Sequence, residues 1–116
     1  MTELVLSLVD VARGQPIDDV EIDVQKMVDG VWLPVNQLVS DKKGKVTIIR
    51  KDDQDDPSGY YEATASVGTY FMNKGYVLPT MKFVDMLPIR FGINDINQIS
   101  KVIVSITPFG YSLTMA

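Results

Sequence analysis

The stretch Leu4–Val24, LVLSLVDVARGQPIDDVEIDV, decides how the rest of the chain is read. Leu4 to Asp10 is built from β-formers and predicts a strand at the start of the chain. ARGQPIDD then carries Gly14, Pro16, Asp18 and Asp19, residues that suit positive or fixed φ, and predicts a turn. After it Val20, Ile22 and Val24 alternate with Glu21, Asp23 and Gln25. A period of two puts the apolar set on one face, as in a half-buried strand.

The same grammar continues outward. Asp29-Gly30, between that strand and VWLPVNQLV, is a strong two-residue hairpin signal. SDKKGK, residues 40–45, is a second turn and feeds the short strand VTIIR. KDDQDDPSG, residues 51–59, is polar throughout and predicts a loop, and YYEATAS resumes a strand. VGTYFMNKG breaks the alternation and fits two helical turns closed by a C′ glycine, Gly75. Met86 to Ile93 predicts a strand whose Pro88 suits an edge or a bulge. Ile99–Ile106 and Gly110–Thr114 follow, joined at Thr107-Pro108. About eight short strands and one short helix predict an all-β sandwich, a single domain over residues 1–116. Trp32, Tyr60, Tyr61, Tyr70 and Phe71 are expected in its core.

Composition removes whole classes of chemistry. There is no histidine and no cysteine, so thiol catalysis, disulfides and the usual zinc or copper ligands are excluded, and no metal or cofactor is expected. A net charge of −4, from 11 basic and 15 acidic residues, argues against nucleic acid or an anionic membrane as partner. No apolar run approaches the ~20 residues of a membrane helix, and no leader pattern precedes the first strand. The expectation is a cytoplasmic, soluble domain.

Three local strings fail as motifs. Asp52, Asp53, Asp55 and Asp56 lack the ligand spacing of a calcium loop. Ser40 and Lys43 match a Ser-x-x-Lys string, but that chemistry needs both on one helical turn, and here they sit in a turn between strands. Gly44, Gly59 and Gly68 have no phosphate-cradling spacing.

Taken together, longer strings resemble the transthyretin / 5-hydroxyisourate hydrolase family. LVLSLVDVARGQPIDDVEIDV is similar to its first two strands, and VWLPV with SDKKGKV to its tryptophan-containing strand and following Asp-Gly turn. GYYEATASVGTYF is similar to its strand-plus-helix segment, and TPFGYSL to its last strand. The resemblance implies a two-sheet sandwich, about eight strands with one helix. It also implies edge strands paired across a dimer, and two dimers forming a homotetramer around a small-molecule channel. That channel would be lined by the first, penultimate and last strands. In transthyretin it carries thyroid hormones; in the hydrolase it opens the ring of 5-hydroxyisourate.

The resemblance also locates departures. Without gaps, the hydrolase's first histidine falls on Ser7, its arginine on Lys45 and its second histidine on Lys101. Its C-terminal Tyr-Arg-Gly-Ser falls on Thr114, Met115 and Ala116, one residue short. A general base is typically worth about 10²–10⁴ in rate, so hydroxyisourate hydrolysis by the family's histidine mechanism is not expected. One expectation is a rebuilt site acting on a small carbonyl-rich ring compound by hydrolysis, ring opening or cyclisation. Ser7, Lys45 and Lys101 would be its catalytic residues. Crowded cations in a partly dry channel favour a neutral lysine as base, with Lys45 at an oxyanion and Ser7 orienting substrate or water. Leu6, Tyr111, Ser112, Leu113, Thr114 and Met115 would bind the substrate, with Val104 or Ile103 adding apolar wall. The alternative is a channel that binds a small anionic ligand without chemistry, or a purely structural tetramer.

Overall fold

The computed structural model describes residues 3–49, 58–94 and 99–115. Two sheets carry nine strands among the described residues, with one short helix between the sixth and seventh. In chain order they are β1 (Glu3–Asp10), β2 (Gln15–Pro16), β3 (Glu21–Val28), β4 (Val31–Val39) and β5 (Lys45–Ile49). There follow β6 (Gly59–Ser66), α1 (Val67–Asn73), β7 (Met86–Ile93), β8 (Ile99–Thr107) and β9 (Gly110–Met115). The expected turn over ARGQPIDD is therefore partly strand, because Gln15 and Pro16 pair back onto Asp10 and Val9. The acidic stretch Asp52–Asp56 lies outside the described residues.

One sheet runs β2-β1-β8-β9, with β5 also paired to β1; the other runs β4-β3-β6-β7. β1 and β8 are parallel and every other pair is antiparallel. Pro88 is tolerated because β7 is an edge strand, with one side of its backbone free of the ladder. At the β3–β4 hairpin Asp29 and Gly30 take φ of 51° and 80°, the left-handed pair that a two-residue turn of matching twist requires.

Alternation fixes which side of each strand is buried. Leu4, Leu6 and Leu8 of β1 point inward against Val102, Val104 and Ile106 of β8. Ile22 and Val24 of β3 and Ala63 and Ala65 of β6 meet them from the other sheet. Each large aliphatic side chain so buried is worth about 1.5–3 kcal/mol of transfer free energy. Tyr61, Tyr70 and Phe71 join this core as expected. Tyr60 does not: it is 69% exposed, because its neighbour Tyr61 takes the inward position. Trp32 is half-buried on the outer face of the second sheet, under the guanidinium of Arg90 5.2 Å from its ring.

The helix closes as its sequence suggests. Gly75 takes φ +85°, its N–H bonds the Met72 carbonyl, and the Tyr76 N–H reaches back to Phe71. This is the paired C-terminal cap that a left-handed glycine permits. It turns the chain so that Tyr76 comes back over the end of β1.

Candidate functional site

The outward residues of β1 are Val5, Ser7 and Val9, all half-buried, since their neighbours Leu4, Leu6 and Leu8 fill the core. Directly paired residues share a face, so the register extends this row across the five-stranded sheet. Ser7 lies opposite Lys45 of β5 on one side and Ile103 of β8 on the other, and Ile103 pairs with Thr114 of β9. One step along, Val5 lies between Thr47 and Lys101; one step the other way, Val9 pairs Ser105, and Ser105 pairs Ser112. Opposite residues of an antiparallel pair have Cβ atoms about 4.5–5.5 Å apart, which applies to Ser7 and Lys45. Lys101 sits two residues before Ile103, about 6–7 Å along the strand. The three residues expected to do chemistry therefore share one face. Lys45 and Lys101 are exposed there.

The expected binding set divides. Ser112 and Thr114 are on this outer face, but Tyr111, Leu113 and Met115 pair with Ile106, Val104 and Val102 and so take the opposite side of β9. They remain 50%, 45% and 67% exposed because β9 is the edge of its sheet. Leu6 is a correction: fully buried between Leu4 and Leu8, it packs in the core and cannot line the face that Ser7 occupies. Val104 is likewise core, leaving Ile103 as the apolar residue beside Ser7. Val5, Thr47 and Ser105 belong to the face and were missed, although counting by twos from Ser7 reaches Val5 directly. Among the described residues no group of His, Cys, Asp or Glu is arranged to hold a metal ion.

Lys45 is held at this face by the turn before it. Gly44 takes φ +75° and its carbonyl accepts the Leu8 N–H at 2.8 Å. A Cβ on Gly44 would lie 2.4 Å from the Leu8 carbonyl oxygen, so the turn packs against β1 with no room for a side chain. The Asp41 carboxylate closes the turn, with Oδ1 accepting the N–H groups of Lys43 and Lys45 at 2.9 Å each.

A second polar assembly lies at the far end of β1, where no local motif marks it. Asp10 is fully buried, the one buried carboxylate among the described residues. It accepts the hydroxyls of Tyr70 at 3.1 Å and Tyr76 at 3.3 Å, and the N–H groups of Ala12 at 3.1 Å and Arg13 at 3.3 Å. Burial, and then the hydrogen bond to Asp10, push the Tyr70 hydroxyl up to about 12. The Arg13 guanidinium covers the Tyr76 ring at 5.0 Å and donates to the Lys74 carbonyl. With its acceptor capacity spent on four groups, Asp10 ties β1 to the helix and its following turn.

Comparison with known proteins follows the same architecture. A 5-hydroxyisourate hydrolase from Halalkalibacterium halodurans is 27% identical over 106 residues, covering 90% of this chain and 89% of that protein. The crystal structure of an (S)-allantoin synthase superposes with a TM-score of 0.89 at 23% identity, over 99% of this chain and 43% of that one. The chain thus spans less than half of the synthase. Sea bream transthyretin in complex with thyroxine gives 0.82 at 22% identity, covering 97% of this chain and 93% of that one. At these identities the structural likenesses establish the fold. Residues 4–114 match the family described as HIUase/Transthyretin, and the chain belongs to that family.

Proposed function

We propose that the outer face of the five-stranded sheet acts on a small carbonyl-rich ring compound, through lysine and serine rather than histidine. The carrying observation is the register: Ser7 is flanked by Lys45, with Lys101 one step along on the same face. The hydrolase relative supports hydrolysis of a ring as the reaction class. In this reading water adds to a ring carbonyl carbon, the ring carbon–nitrogen bond breaks, and the proton lost by water passes to the leaving nitrogen. Lys101 carries that proton from water to nitrogen, Lys45 stabilises the oxyanion and Ser7 orients the water or the ring. Ile103, Ser112 and Thr114 hold the ring against the sheet. A homotetramer, two dimers enclosing this face as a channel, would supply the water exclusion that one open sheet lacks.

The binding reading has its own support. The face carries two exposed cations beside the apolar Val5 and Ile103, an arrangement that receives an anionic ring without changing it.

Ultraviolet decay of freshly made 5-hydroxyisourate separates the two. The catalytic reading expects the protein to accelerate decay and Lys101→Ala to lose that acceleration. Acceleration that survives in Lys101→Ala removes the lysine base, and no acceleration by the unmodified protein removes this substrate. Gel filtration at the monomer mass of 12.9 kDa would count against an enclosed channel.

A further inference from the structure

We propose that Asp41 is a positioning residue for the Ser7–Lys45 pair, setting where the Lys45 side chain leaves the backbone. The inference rests on the reading of the outer face as the reactive one. A short turn is commonly closed by one backbone bond between its ends. Residues 41–45 are tied four times: the Asp41 N–H donates to the Lys45 carbonyl at 3.1 Å, the Gly44 N–H to the Asp41 carbonyl at 2.9 Å, and both Lys43 and Lys45 N–H groups to Asp41 Oδ1. Two of the four come from one side chain, and one of those ends at the residue facing Ser7.

Charge adds to geometry. The Asp41 carboxyl is held below the usual carboxylate range, first by the Lys45 N–H, with help from the Lys43 N–H and from the ammonium groups of Lys45 and Lys43. The anion therefore persists at neutral pH and adds a weak attraction for the neighbouring Lys45 and Lys43 ammonium groups. Asp41 thus holds the backbone from which the Lys45 side chain leaves, at the position that pairs with Ser7.

The test uses Asp41→Asn, which keeps an oxygen acceptor and removes the charge, and Asp41→Ala, which removes both. Amide hydrogen exchange at Lys45 and nuclear Overhauser contacts from its side chain to the Ser7 β-protons need no substrate. Asp41→Ala is expected to exchange the Lys45 amide on the order of tenfold faster and to lose the contacts, with Asp41→Asn close to the unmodified protein. Unchanged exchange and contacts in Asp41→Ala overturn the proposal. Kinetics on 5-hydroxyisourate add the functional arm: Asp41→Ala should lower kcat as Lys45→Ala does, with the double variant no worse than either. Fully additive losses would mean that Asp41 does not act through Lys45. If the unmodified protein leaves 5-hydroxyisourate untouched, the reaction assigned above fails, while the exchange and contact measurements still decide Asp41.

Discussion

Asp10 and Ser7 of β1 show two opposite settings for a polar side chain on one strand. At one end Asp10 is buried and takes hydrogen bonds from two tyrosines and two backbone amides. Three residues earlier Ser7 faces outward between an exposed lysine and an isoleucine. A buried polar group must find its partners within the fold, since leaving it unpaired costs more than the bond is worth. A group that meets a ligand keeps some of its bonding capacity for that ligand. Burial among partners at Asp10 and the outward setting of Ser7 are thus opposite uses of similar chemistry.

Substitutions sharpen this contrast in order of expected effect. Asp10→Ala removes the shared acceptor of the buried Tyr70 hydroxyl, the half-buried Tyr76 hydroxyl and two part-buried amides, and is expected to cost about 3–5 kcal/mol, read as a lower urea midpoint. A loss under 1 kcal/mol would mean that the assembly is incidental. Gly44→Ala forces a β-carbon onto the Leu8 carbonyl at a left-handed φ and should cost about 2–3 kcal/mol. Retained stability there would show that the turn can move away from β1, and with it Lys45.

Tyr70 gives the pH-dependent member of the series. Its folded pKa of about 12 lies above the ordinary value of 10.0, so the folded state keeps the proton longer than the unfolded chain. That stabilisation is fully present below pH 10 and is lost as pH rises through 12. Tyr70→Phe should flatten the fall in stability across this window; an unchanged slope would place the titration elsewhere. The smallest effect is expected on the outward face of the five-stranded sheet. Ser7→Ala, half-buried on the outward face, and Lys101→Ala, exposed, should each change stability by no more than about 0.5 kcal/mol. A larger loss would move these residues from the ligand's side of the contrast to the fold's.

The sequence made much of the sandwich legible because alternation is a local property. Val20, Ile22 and Val24 announce their face within five residues, and Asp29-Gly30 announces its turn in two. The shared face of Ser7, Lys45 and Lys101 follows from the family resemblance, and strand pairing across 38 and 96 residues of chain gives it a geometric basis. Where the reading failed, parity was the reason. Leu6 was set beside Ser7 although adjacent strand residues face opposite ways, and Tyr111, Leu113 and Met115 were grouped with Ser112 and Thr114 across the same divide. Asp10 was invisible because its tyrosines lie 60 and 66 residues away, with nothing near Asp10 to mark them.

Whether the outer face of the five-stranded sheet receives a ligand can be measured without assuming a reaction. Urate, a purine ring rich in carbonyls and anionic at neutral pH, can be titrated against the protein while backbone amide resonances are followed. The largest shifts are expected at Ser7, Lys45, Lys101 and Thr114, with Leu6 and Asp10 little moved. Shifts confined to the second sheet, or none at millimolar urate, would contradict the assignment of the five-stranded sheet's outer face as the site.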